Sequence, residues 1–99
     1  MSIKVKKVDT EFEYEQILEI RKKVFIEEQG VPASLEIDEN ESDAVYFLGQ
    51  KDNQIVSTGR VRVIGDEVKF ERIATLPDFR GQGIATELMN FMQSFSKTL

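Results

Sequence analysis

Three short apolar runs follow one another closely between residues 44 and 75. AVYFL at 44–48 comes first, then the run at 55–63, then the run at 68–75. KDNQ at 51–54 separates the first two, and Gly65-Asp66 separates the last two. Spacers this short can join only antiparallel neighbours, because a parallel crossover takes about a dozen residues or more. The chain is therefore predicted to contain an antiparallel meander. In the third run, strict alternation places Val68, Phe70, Arg72 and Ala74 on one face and Lys69, Glu71, Ile73 and Thr75 on the other.

Helical signals flank the meander. Ile3, Val5 and Val8 alternate with lysines, which predicts a first strand over 2–8. Thr10 and Glu13 have capping-box spacing, and a helix is predicted over about 12–28. Its apolar stripe is Tyr14, Ile17, Leu18, Val24 and Phe25, with Arg21 between the two halves. Gly30 and Pro32 end it. The acidic stretch at 33–43 reads as a loop or short helix. A last helix is predicted from about Gly83, with Ile84, Leu88, Phe91, Met92, Phe95 and Leu99 at helical period and Leu99 at its end. The order is β-α-(α)-β-β-β-α in one domain over 1–99. That order describes an α+β, mixed three-layer architecture rather than a doubly wound one.

Composition narrows the chemistry. The 99 residues contain no Cys and no His. Thiolate nucleophiles, zinc–thiolate sites and imidazole bases are thereby excluded, leaving Asp, Glu, Tyr, Lys or water to move protons. The net charge of −5 and the lack of a long basic cluster argue against a nucleic-acid partner. No apolar run approaches the roughly 20 residues of a membrane span. The alternating start MSIKVKKV lacks a signal-peptide core, so no membrane association and a cytoplasmic location are expected. The acidic run Glu36, Asp38, Glu39, Glu41 and Asp43 fails the calcium-loop template, because Asp43 stands where glycine is required and Gly49 where glutamate is. No metal is expected.

Arg80-Gly81-Gln82-Gly83 lies between the third meander run and the last helix. A glycine-rich turn feeding a helix leaves backbone N–H groups unpaired, and the helix dipole adds positive potential. Arg80 adds a permanent charge suited to phosphate. The P-loop pattern is absent, and the dinucleotide fingerprint fails because position 86 is Thr and no acid follows about 20 residues on. Arg80-Gly81-Gln82-Gly83-Ile84-Ala85, preceded by ERIATLP and followed by TELMNFM, resembles the acyl-CoA diphosphate loop of the GNAT superfamily of N-acetyltransferases. In the N-terminal half, Arg21-Lys-Lys-Val-Phe25-Ile-Glu-Glu28-Gln29-Gly30, then Glu36-Ile-Asp38 and Asp43, is similar to the ElaA-like branch. The same template resembles the acyl-homoserine-lactone synthases, which usually carry a Trp that this chain lacks.

The resemblance implies acetyl transfer from acetyl-CoA to an amine of a small molecule or protein. It implies that Arg80, Gly81, Gln82, Gly83, Ile84, Ala85 and Thr86 hold the diphosphate and that Ile73, Ala74 and Thr75 hold the pantetheine, with the Ile73 N–H on the thioester carbonyl. An ammonium of pKa about 10.4 leaves roughly one amine in 2,500 neutral at pH 7, so a base is needed. Glu71 is the candidate, directly or through water; pairing with a neighbouring Arg or Lys is the alternative. Arg21, Phe25 and Glu28 are the substrate candidates; Arg21 orients an acidic substrate group or the acidic loop at Glu36 and Asp38, or alternatively makes a structural salt bridge or packs its stem and sends its head to solvent. The family's acidic tyrosine has no counterpart at Tyr14 or Tyr46. The family domain also continues past its third helix with a fifth strand, so the fourth strand is expected to present an open edge that a second copy covers. A synthase using another acyl donor, or a non-catalytic CoA-binding or self-associating remnant, are the other expectations.

Overall fold

The computed structural model describes residues 2–37 and 41–99. The elements are β1 (Ile3–Lys7), α1 (Glu11–Arg21), a π-helical continuation (Lys22–Glu28), α2 (Ala33–Glu36), β2 (Val45–Lys51), β3 (Gln54–Ile64), β4 (Glu67–Thr75) and α3 (Ile84–Ser96). Short 3-10 turns occupy Glu41–Asp43 and Pro77–Phe79. The strands form one sheet in the order β1-β2-β3-β4, with every neighbouring pair antiparallel. The predicted meander and the mixed three-layer architecture are both present.

Local chemistry explains most of the boundaries. Thr10 Oγ1 accepts from the Glu13 N–H at 3.1 Å, and Glu13 reaches back to the Thr10 N–H at 3.3 Å, which completes the capping box. The β2–β3 turn holds Asp52 and Asn53 at φ of 50° and 72°, the left-handed pair that a two-residue hairpin needs and that Asp and Asn tolerate. Gly30 stops the first helix at φ 76°.

Two clusters sandwich the sheet. On one face Leu88 and Met92 of α3 pack with Phe47 and Val61, with Phe70 and Phe95 at the margin. On the other, Ile20 and Val24 pack with Ala74. Each fully buried Leu, Met or Phe contributes about 1.5–3 kcal/mol. A Cβ at Gly59 would lie 2.9 Å from Met92 Sδ, so glycine there lets α3 approach β3 closely.

The structure departs from the sequence expectations in three places. The first helix changes winding at Lys22, where the Gln29 N–H bonds the Val24 carbonyl five residues back at 3.1 Å. Its buried face includes Ile20, while Leu18 is only half-buried. The last helix ends at Ser96, and its buried stripe is Ile84, Leu88 and Met92; Phe91 and Leu99 are exposed. The third departure lies in β4. Thr58 pairs with Ala74 and Arg60 with Glu71, so Arg72 and Ile73 together oppose the single residue Gly59. This is a β-bulge, and Arg72 sits in it at φ 55°. One inserted residue reverses the alternation beyond it. Phe70 packs on the α3 side, whereas Ala74 packs against α1. Ile73 approaches the Gly59–Met92 contact, while Glu71 pairs with Arg60, which also reaches Glu41. The predicted sharing of one face by Glu71 and Ile73, and by Phe70 and Ala74, is therefore corrected.

Candidate functional site

The segment between β4 and α3 is built from backbone. Arg80 is extended, and Gly81 and Gly83 follow at φ of 76° and 87°, values that favour glycine. No atom lies within 4 Å of a Cβ built on either glycine, so the space beside them is open. Among the described residues, none accepts a hydrogen bond from the backbone N–H of Gly81, Gln82, Gly83, Ile84, Ala85 or Thr86. The next amide, that of Glu87, donates to the Gly83 carbonyl at 3.1 Å. Beside this segment lies a cavity of about 200 Å³, lined by Thr75, Phe79, Arg80, Gly81, Gly83, Ile84, Ala85 and Thr86. The arrangement suits an anion.

Side chains frame this cavity in ways the sequence did not disclose. Arg80 Nε donates to the Thr75 carbonyl at 2.9 Å, and its two Nη atoms meet the Glu28 carboxylate at 2.9 and 2.7 Å. The Arg80 hydrogen bonds hold the Glu28 carboxyl below the usual carboxylate range. Gln82 receives Lys51 Nζ and donates to the Asp78 carbonyl. Lys51 thus brings a second cation to the loop from the far end of β2. The Ile84 side chain is buried against Gly49. Thr75 Oγ1 is taken up by Ser57 Oγ at 3.0 Å.

A second cavity, of about 430 Å³, opens at the bulge and is lined by Phe25, Gln29, Val31, Leu35, Glu36, Arg72 and Ile73. Phe25 is therefore brought to β4. Glu28 is carried instead to Arg80, and Arg21 to the interior.

Arg21 is fully buried. Its Nε meets Glu36 at 2.8 Å, and its Nη atoms meet Glu41 at 2.7 and 2.9 Å and the Glu36 carbonyl at 3.1 Å. With no exposed surface it has nothing to offer a ligand directly. Asp38, its other expected partner, lies outside the described residues. Glu41, one of the acidic run at 36–43, also receives Tyr14 Oη and lies 3.4 Å from Arg60 Nη1. The network continues through Arg60 to Glu71, which Arg62 clamps at 2.9 and 3.1 Å. Hydrogen bonds from Arg62 and, against partial burial, from Arg60 hold the Glu71 carboxyl at about 2. Burial alone would raise the Glu41 carboxyl, but Arg21 and Tyr14 outweigh it and hold it at about 2.

Both carboxyls sit below their unfolded value of about 4.3. Their stabilisation is present above that value and is lost as pH falls toward about 2, at most roughly 3 kcal/mol each. The thermal midpoint is expected to fall steeply between about pH 4.5 and 2. Glu71→Gln should flatten that slope in scanning calorimetry, and an unchanged slope would remove Glu71 from the linkage.

The profile of the Acetyltransferase (GNAT) family matches residues 14–99. The chain belongs to the GNAT family. A Bacillus subtilis (strain 168) protein provisionally named an acetyltransferase is 38% identical over 96 residues, covering 94% of this GNAT chain and 65% of the relative. The chain thus spans just under two-thirds of that relative's length. Escherichia coli ElaA matches with a TM-score of 0.80 at 22% identity over 95% of this chain and 69% of ElaA. The PaiA N-acetyltransferase of Thermoplasma acidophilum, solved in complex with coenzyme A, matches with a TM-score of 0.78 at 14% identity over 99% of this chain and 74% of that one. These structural likenesses establish the fold. Among the described residues no cluster of acidic side chains could hold a metal, and no helix is long and apolar enough to cross a membrane.

Proposed function

We propose that the protein binds acetyl-CoA and serves acetyl transfer to an amine. The observation that carries this reading is the run of six backbone N–H groups, from Gly81 to Thr86, that no described residue accepts. A helix N-terminus with open amides and nearby Arg80 and Lys51 suits a diphosphate. The residues fit the group: the amides of Gly81, Gln82, Gly83, Ile84, Ala85 and Thr86 would hold the diphosphate, and the β4 backbone at Ile73, Ala74 and Thr75 would hold the pantetheine. Acetyl-CoA supplies a thioester whose C–S bond is exchanged for a C–N bond, releasing a thiol and an amide.

The chain's own groups divide the remaining work. The Ile73 N–H at the bulge donates to the acyl oxygen, an oxyanion-type contribution. The acceptor enters the cavity beside Phe25, Val31 and Leu35, so its amine arrives on an apolar wall. Glu71, adjacent to the bulge, remains ionised at neutral pH because its carboxyl is held at about 2. A carboxylate so depressed accepts a proton poorly. We therefore assign Glu71 to attracting the ammonium and ordering a water, through which the ammonium proton passes to bulk solvent before the neutral amine attacks.

Calorimetric titration with acetyl-CoA tests the reading: saturable one-site binding is expected, and absence of binding overturns it. Arg80 is engaged by Glu28 before any anion arrives. Glu28→Gln should release it and tighten CoA binding a few-fold in the same titration. Weaker binding would instead place Glu28 among the groups that contact the ligand.

A further inference from the structure

Arg72 holds φ 55° inside a strand, whereas the other non-glycine residues with positive φ, among the described ones, form the Asp52-Asn53 turn. A long side chain seldom keeps the left-handed region without support. The support is visible. Arg72 Nε lies 3.2 Å from Glu36 Oε2, and its guanidinium donates to the Glu36 carbonyl at 3.0 and 3.2 Å and to the Leu35 carbonyl at 3.4 Å. Glu36 is itself fixed. It is 3% exposed, and its carboxylate also receives Arg21 Nε at 2.8 Å. Arg21 is held in turn by Glu41. A line of charge-assisted contacts therefore runs from α1 through α2 to the strained residue of β4.

The Ile73 amide is the peptide unit that follows Arg72. Its direction is set by the Arg72 backbone angles, because a planar peptide has no other soft rotation. Arg72 and Ile73 both line the 430 Å³ cavity, as does Glu36. We propose that Glu36 is a positioning residue: by clamping Arg72 it holds the bulge that aims the Ile73 N–H into the cavity. The inference rests on the acetyl-CoA reading for what the amide meets there, but the clamp itself can be tested without ligand.

Two substitutions at one position separate the clamp from the bulge. Arg72→Gly removes the guanidinium and also the strain, because glycine adopts φ near 55° freely. Arg72→Ala removes the guanidinium and leaves the strain unsupported. Glu36→Gln weakens the clamp from the other side, with Arg72→Ala as the safeguard should the loss of a buried partner for Arg21 prevent folding. The first readout is the Ile73 amide resonance of the ligand-free chain. It should nearly coincide in wild type and Arg72→Gly and be displaced in Arg72→Ala and Glu36→Gln. The second readout is the infrared carbonyl stretch of bound carbon-13-labelled acetyl-CoA. Its downshift from the free value should survive in Arg72→Gly and be lost in the other two. An undisplaced Ile73 resonance in Arg72→Ala overturns the clamp, as does Arg72→Gly behaving like Arg72→Ala. Failure of the wild type to bind acetyl-CoA while the resonances behave as expected sinks the acetyl-CoA reading and leaves the clamp standing.

Discussion

Arg21→Ala is expected to be the most destabilising single change in the chain. The side chain is fully buried and carries ion pairs to Glu36 at 2.8 Å and Glu41 at 2.7 Å. Removing it leaves a 3%-exposed carboxylate and a largely buried one facing a hole. Breaking a buried pair from one side typically costs about 3–5 kcal/mol, set against a total stability of about 5–15 kcal/mol for a domain. For a chain of this size each kcal/mol moves the thermal midpoint by about 4–8 °C, so a drop of at least about 12 °C is expected. The exposed pair Lys6–Asp9, at 3.0 Å, is the contrast. Asp9→Ala should leave the midpoint nearly unchanged, because solvent screens such pairs. Scanning calorimetry of both variants decides the matter. An Arg21→Ala midpoint as little moved as that of Asp9→Ala would show that the network does not hold α1, α2 and β3 together.

Gly83→Asp is expected to abolish CoA binding while leaving the fold intact. Gly83 stands at the N-cap of α3 with φ 87° and no atom within 4 Å of a Cβ. Aspartate tolerates left-handed backbone better than most residues. The left-handed backbone costs at most about 1–2 kcal/mol, so the helix should survive. The new carboxylate would sit among the open amides and repel a diphosphate. At about 4 Å and an effective dielectric near 20, each like-charge contact costs roughly 4 kcal/mol, or about a thousandfold in affinity. Gly83→Ala is the neutral control, with mild backbone strain, no clash and a modest loss. Equal affinity for Gly83→Asp and wild type would mean that the ligand's phosphates lie elsewhere, and the functional reading would fall with it.

The parts of the fold legible in the sequence are those set by neighbours. The turn residues Asp52, Asn53 and Gly65, the Thr10–Glu13 box and the stop at Gly30 all act within a few positions. Hydrophobic period marked the two helices and three of the strand runs well. The glycine-rich loop was legible for the same reason: Gly81 and Gly83 announce backbone angles directly. The ion pairs were legible only in part: Arg21 with Glu36 and Glu71 with a neighbouring basic residue were expected, and the others were not. Thirteen basic and eighteen acidic side chains permit many pairings, and nothing local chooses Glu28 for Arg80, 52 positions away, or Glu36 for Arg72, 36 positions away. Glu41 is indistinguishable in sequence from the other members of the acidic run, and only folding places it against Arg21 and Tyr14.

By itself, then, the sequence determined the order of elements, the antiparallel meander and the open amides at the start of α3, because each follows from short-range backbone preference. Tertiary structure alone decided the bulge at Arg72, the faces on which Glu71 and Ile73 lie, and which of the possible partners each buried charge takes. A strand's alternation continues until one inserted residue reverses it, and what sustains that insertion is a carboxylate on another element, brought near only when the chain has folded.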